Sequence, residues 1–140
     1  MNNINYYYKG VLYMTERKRM TKQRKVILEV LKNTKSHPTA DWIYDQVREE
    51  LPNISLGTVY RNLKVLKEMG EIMELDYGST YSRFDGNPEN HYHFVCNSCD
   101  RVVDIDMPFH DSLNSRAEEN NPVKVTYHRL EFYGLCENCS

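Results

Sequence analysis

All four cysteines of the chain fall into two Cys-x-x-Cys pairs, Cys96/Cys99 and Cys136/Cys139, with 36 residues between them. A Cys-x-x-Cys turn brings two sulfurs within reach of one ion, and two such turns complete a tetrahedral thiolate site. Four thiolates suit Zn²⁺, which has no redox chemistry and, once fully coordinated, no open position. The competing reading, a thioredoxin-like redox couple, needs the motif at a helix N-terminus within a βαβ pattern. Neither pair has that setting. The expectation is a structural zinc that ties the C-terminal strand to a hairpin across 91–104 and adds folding free energy to a small domain.

A second constellation carries no sulfur. His91 and His93 lie two apart in a β-prone run, so both side chains face one side of a strand. If the Cys96–Cys99 turn closes a symmetric hairpin, position 104 lies opposite 91, and Asp104 joins the same face. Asp85 stands just upstream. Imidazole and carboxylate ligands suit Fe²⁺, Mn²⁺ or Zn²⁺. By itself His-x-His on a strand is more often a pair of half-buried histidines; a carboxylate in register and a separate zinc knuckle tip the balance to a second metal site. His37, in a loop between helices, reads on spacing alone as a solvated histidine. His110 and His128 have no such constellation and read as surface or supporting groups.

The elements that must position these groups follow from periodicity. Thr21 caps a helix over KQRKVILEVLKN, with Val26, Ile27, Val30 and Leu31 on one side. SHPT (36–39) breaks it. A second helix from about Thr39 to Glu50 carries Trp42, Ile43 and Val47 on its apolar face, and LPN (51–53) stops it. Ser55 caps a third, with Val59, Leu63 and Leu66 at helical spacing and Gly70 as the stop. The run 71–85 predicts a two-stranded hairpin turning at Tyr77-Gly78-Ser79.

Three short helices followed by a hairpin is the order of a winged helix-turn-helix, whose third helix enters the DNA major groove. The exposed face of that helix offers Ser55, Thr58, Tyr60, Arg61, Asn62 and Lys64 to phosphates and base edges, with Arg24 in the basic run before it. Beyond Asp85, GNPEN (86–90) reads as a hinge. HYHFVC, RVVDIDM and VKVTYHRLEFYGLC read as strands around a helix across 109–120. The fold class expected is α+β: residues 1–84 a winged-helix DNA-binding domain, 85–90 a hinge, and 91–140 a small α/β domain with the zinc knuckle.

Charge divides the same way. Residues 1–84 carry 14 Lys/Arg against 10 Asp/Glu, and 85–140 carry 4 against 10, behind a net charge of −2. A basic front half joined to an acidic back half fits a polyanion-binding module linked to one with another task. No run approaches the ~20 apolar residues of a membrane span. MNNINYYYKGVLY lacks the basic start and apolar core of a signal peptide, so a cytoplasmic protein is expected.

Arg19-x-Thr21-x-Gln23-Arg24, His37-Pro38-Thr39-Ala40, Thr58-Val59-Tyr60-Arg61-Asn62-Leu63, His91-x-His93 and the two cysteine pairs, collinear from about 19 to 139, resemble the ferric uptake regulator family. The resemblance implies a homodimer joined through the C-terminal domain and bound to palindromic double-stranded operators. It also implies that His37, Asp85, His91, His93 and Asp104 form a regulatory Fe²⁺ or Mn²⁺ site, which promotes His37 from solvated loop to ligand. Iron-uptake members usually show His-His-Asp-His where this chain has Asn90-His91-Tyr92-His93, and more often place Glu among the regulatory carboxylates. Asp85 and Asp104 match the peroxide-sensing members, in which His37 or His91 is oxidised. The resemblance thus implies a peroxide-sensing repressor and no enzyme. An iron-, manganese- or zinc-responsive regulator is the alternative within the family. Outside it stand a metalloenzyme that activates water at the His/Asp site and a zinc-ribbon interaction module without a DNA role. The family usually begins with a helix, whereas NNINYYYKGVLY has poor helix propensity.

Overall fold

A computed structural model describes residues 4–8, 11–15, 18–76 and 82–140, the first two segments as backbone. Ile4–Tyr8 (β1) and Val11–Thr15 (β2) pair with each other in a two-stranded sheet. The helix that the resemblance puts there is replaced by strand, as runs of Tyr with Ile and Val favour. Beyond Thr15 the chain divides into two compact units between Pro88 and Glu89.

The first unit holds helices α1 (Lys22–Lys32), α2 (Ala40–Val47) and α3 (Leu56–Glu68) and the hairpin of β3 (Met73–Leu75) and β4 (Arg83–Asp85). Each helix starts where a hydroxyl can take an orphan amide: Thr21 accepts from Arg24 N–H, Thr39 from Trp42 N–H and Ser55 from Thr58 N–H. Helix α3 ends in a Schellman motif: Gly70 has φ 74°, its N–H donates to Lys67 O, and Glu71 N–H donates to Leu66 O. Val26, Ile27, Leu31, Ala40, Ile43, Val47, Val59, Leu63, Leu66 and Phe84 close one core.

Trp42, expected on the apolar face of α2, is 39% exposed. Ala40, Ile43 and Val47 recur three and four apart and fill the buried stripe; Trp42 stands about 100° round from Ile43. The hairpin pairs Met73 with Asp85 and Leu75 with Arg83. Its expected turn at 77–79 lies outside the described residues.

The second unit is a three-stranded sheet in the order β6-β5-β7, with β5 Tyr92–Cys96, β6 Val102–Ile105 and β7 Glu131–Gly134, and a helix α4 over Ser112–Glu118. The strand expected across 123–136 is ordered as strand only at its end. Alternation sets which side a residue faces but supplies no partner: β7 pairs with β5 from Glu131 opposite His93, and most of 123–130 lies ahead of the start of β5. Helix α4 is shorter than 109–120, and the backbone N–H of His110 ahead of it donates to the Tyr92 hydroxyl. Tyr92, Val95, Cys96 and Val102 are the buried apolar residues of 89–140, too few for an independent core of ordinary stability. Among the described residues no helix is long and apolar enough to cross a membrane.

Candidate metal centres

The two Cys-x-x-Cys turns meet because β7 runs parallel to β5 with Cys96 opposite Gly134. The first turn is closed by Asp100 N–H to Cys96 O and by Asp100 itself, a non-glycine at φ 59°. The second is closed by Cys139 and Ser140 N–H to Cys136 O. The turns are stitched together by Asn97 N–H to Gly134 O at 2.7 Å and by Cys136 N–H to Cys96 Sγ at 3.4 Å. All four sulfurs lie within 4.8 Å of one another. Cys99 Sγ and Cys136 Sγ are 3.8 Å apart, the edge of a tetrahedron with metal–sulfur bonds of ~2.3 Å.

Their electrostatics are unequal. Backbone amides of Cys136 and then Cys99 point at Cys96 and lower its thiol to about 6. At Cys139 a hydrogen bond with Ser98 works in the same direction, but the neighbouring thiols of Cys136 and Cys99, with burial, push it up to about 11. Four sulfurs this close cannot all be thiolates without a cation among them. The donor set fits one divalent, thiophilic ion.

The sulfur-free groups are built separately in the two units. In the second, β5 and β6 pair His93 with Asp104 and Tyr92 with Ile105. The expected pairing of 91 with 104 is therefore displaced by two residues. An even displacement keeps every side chain on its own face, so Asp104 still meets both histidines. Asp104 Oδ1 is 3.0 Å from His91 Nε2 and 3.4 Å from His93 Nε2, and the imidazole centroids are 4.4 Å apart. His91 Nδ1 stands 2.6 Å from Glu89 O. A carbonyl only accepts, so Nδ1 carries the proton and the Nε2 lone pair is left for a ligand. His93 is buried, while the Asp104 side chain is 52% exposed.

In the first unit, the loop after α1 runs along β4 as a short extra strand. Thr39 bridges Arg83, Phe84 N–H donates to Pro38 O, and His37 therefore lies opposite Asp85. His37 Nε2 is 2.9 Å from Asp85 Oδ2, and Asp85 Oδ1 accepts from Asn87 N–H at 2.9 Å. Both residues are buried. Asp85, read as part of the hinge, is the last residue of β4. His37 is far from the solvated loop residue that spacing alone suggests.

Along α3, Ser55 and Thr58 hydroxyls are 2.8 Å apart, Arg61 donates to Thr58 Oγ1, and Tyr60, Arg61 and Lys64 are exposed. Asn62 departs from expectation. It is 7% exposed, accepts from Arg24 Nε at its Oδ1 and donates to Gln23 Oε1, so it clasps α3 to α1 and offers nothing to a base edge. The reason is angular: Asn62 sits between Val59, Leu63 and Leu66 on the buried stripe. Arg24 is half-buried, with a second donor given to Arg19 O.

A family model described as the ferric uptake regulator family matches residues 16–133. The chain belongs to the ferric uptake regulator family. The peroxide-responsive repressor PerR of Staphylococcus epidermidis is 45% identical over 121 residues, which cover 86% of this chain and 81% of that protein. PerR of Staphylococcus aureus (strain USA300) is 44% identical over 86% of this chain and 82% of its own. Among solved structures, the Campylobacter jejuni peroxide stress regulator is 31% identical, with TM-score 0.69 over 84% of this chain and 88% of that one.

Several groups that shape this family member's sites carry no signal in the sequence. Arg83 donates to His37 O, and the Glu89 carbonyl sets the His91 tautomer. Backbone acceptors are invisible to spacing arguments. Gly86 is legible only as a turn residue, yet a Cβ there would stand 3.0 Å from the Leu31 carbonyl carbon and oxygen and 3.1 Å from Lys32 N, all backbone of α1. Gly86→Ala is expected to push the end of β4 off α1, cost about 1–3 kcal/mol as an overpacked site does, and displace Asp85 from His37. Urea denaturation of the variant against the parent measures it; unchanged stability would show that α1 gives way freely.

Proposed function

We propose that this chain is a metal-dependent, DNA-binding transcriptional repressor that responds to hydrogen peroxide, working as a cytoplasmic homodimer on palindromic operators. The carrying observation is the donor chemistry. His37 with Asp85, and His91 and His93 with Asp104, offer three imidazoles and two carboxylates without sulfur. The chain's relatives at 44–45% identity are peroxide-responsive repressors. Zn²⁺ is assigned to Cys96, Cys99, Cys136 and Cys139, and one Fe²⁺ or Mn²⁺ to the five His and Asp ligands jointly.

Sharing one ion between residues 37 and 85 on one side and 91, 93 and 104 on the other makes occupancy favour one arrangement of the two units. DNA fitted to that arrangement then binds tighter by ~5–150-fold for each coupled site. The reading module is residues 1–84, with Tyr60, Arg61 and Lys64 toward bases and phosphates and Ser55, Thr58 and Arg24 supporting them. The exposed apolar side chains Val123, Tyr127, Phe132, Tyr133 and Leu135 of the second unit supply surface for the second copy.

Bound Fe²⁺ would supply activation of peroxide: the O–O bond breaks, one oxygen adds to an imidazole that gives up two electrons overall, and the other leaves as water. The chain supplies the imidazoles of His37 and His91, and an oxidised imidazole gives up ligand strength, so the units uncouple and the operator is released. Mn²⁺ supports repression without that chemistry. Operator binding measured with Fe²⁺ and with Mn²⁺, before and after peroxide, should fall only in the iron sample. The His37 or His91 peptide should then carry one added oxygen atom. Lost DNA binding with both peptides unmodified would remove the peroxide reading.

A further inference from the structure

We infer that Tyr92 is a positioning residue for the ligands His91 and His93, and that His128 holds Tyr92 in place; the inference rests on the metal-site reading above. Tyr92 is fully buried and stands between the two histidines on the opposite face of β5. Its hydroxyl is engaged twice. It accepts from the backbone N–H of His110 at 2.9 Å and donates to His128 Nε2 at 2.9 Å. His128 Nδ1 in turn donates to Asn114 Oδ1 on α4 at 2.7 Å, and the His128 ring stacks on Phe109 with centroids 4.6 Å apart at 8°. With Nδ1 donating to an amide oxygen, Nε2 of His128 is left to accept from the Tyr92 hydroxyl.

The position of the tyrosine gives the network its effect. Ladder pairing of β5 with β6 begins at Tyr92, and with β7 at His93, so His91 precedes both. Its backbone is held from one side by whatever fixes residue 92. A buried phenol tied to α4 and to the segment carrying His128 supplies that anchor. The Asp104-facing direction of both imidazoles is then set from behind the strand. Groups that hydrogen-bond a ligand directly typically cost about 10- to 100-fold in metal affinity when lost; Tyr92 acts through the strand backbone, so the lower end of that range bounds its effect.

Tyr92→Phe keeps the ring and removes only the hydroxyl. The full-length, zinc-containing protein is titrated with Mn²⁺ and with Co²⁺, alongside His128→Phe, the double variant and His93→Ala. Tyr92→Phe and His128→Phe should each weaken Mn²⁺ binding measurably, by up to about 10-fold. They should also shift the ligand-field bands of the Co²⁺-saturated site while thiol-bound zinc is retained. The double variant should be no weaker than either single one, since both cut the same link. A side chain that only fills the core would leave the spectrum of a saturated site unmoved. Parental affinity and parental bands in both single variants overturn the inference; if Tyr92→Phe does not fold, His128→Phe decides alone. Undiminished metal binding by His93→Ala would instead sink the metal-site reading itself, and this inference with it.

Discussion

With zinc at the four sulfurs, as proposed, Cys96→Ser protein is expected to lose that zinc and the ordered structure of residues 89–140, while α1, α2 and α3 remain folded. The second unit buries few apolar side chains, and α4 buries none. Its sheet is held at one end by turns whose sulfurs all lie within 4.8 Å. Binding free energy at a four-sulfur zinc site is folding free energy, of the order of 10–16 kcal/mol in small zinc domains. No rearrangement of so small a core offsets that. Cys96 should be the most damaging of the four to replace, because it is buried and already favours the thiolate.

The sign of the pH dependence follows. Cys96 is depressed from 9.0 to about 6, so its folded-state thiolate contributes stability that is complete above 9 and lost as pH falls through about 6. Protons compete with the metal for the thiolates, so zinc should be released on acidification rather than on raising the pH toward 9. Zinc content and amide dispersion in NMR spectra of Cys96→Ser measure the first effect. A well-dispersed second unit without zinc would show that the core suffices.

His37→Ala and His93→Ala should each abolish the metal-dependent gain in operator affinity, and the double variant should bind no more weakly than either. The two residues belong to different units and to different donor sets. A single ion shared by both sets, as proposed, would lose a ligand in either case, and the ~5–150-fold gain per coupled site would go with it. Two independent ions would give separable losses that add. Zinc content should be unchanged throughout, because neither residue touches a sulfur. A His37→Ala protein with the full metal-dependent gain would leave the first unit outside the switch.

What could be read from the chain alone was mostly what repeats or caps. Thr21, Thr39 and Ser55 marked the helix starts because a hydroxyl before an apolar stripe has one dominant use, and Cys-x-x-Cys twice over has few chemistries. The face shared by His91, His93 and Asp104 was legible despite a register displaced by two, since only parity decides the face. What escaped depends on partners distant in sequence. Asn62 looked like a base reader until Arg24 and Gln23 claimed it, and 123–130 looked like strand but runs mostly ahead of the start of β5, its parallel neighbour. His37 could not be placed by spacing, because its setting depends on a bridge between Thr39 and Arg83, 44 positions on.

The ion pairs of the first unit bear on how its charge is spent. Lys18 is bound to Glu68 and Lys67 to Glu74, so two ammonium groups of the basic half arrive at a polyanion already neutralised. Affinity for a duplex falls with salt according to the phosphates a protein neutralises, by a slope of about 0.9 for each, as condensed counterions are released. Cations held by their own carboxylates release none. The basic half should therefore grip nonspecific sequence more loosely than its Lys and Arg content suggests, leaving more of the discrimination to shape and base contacts.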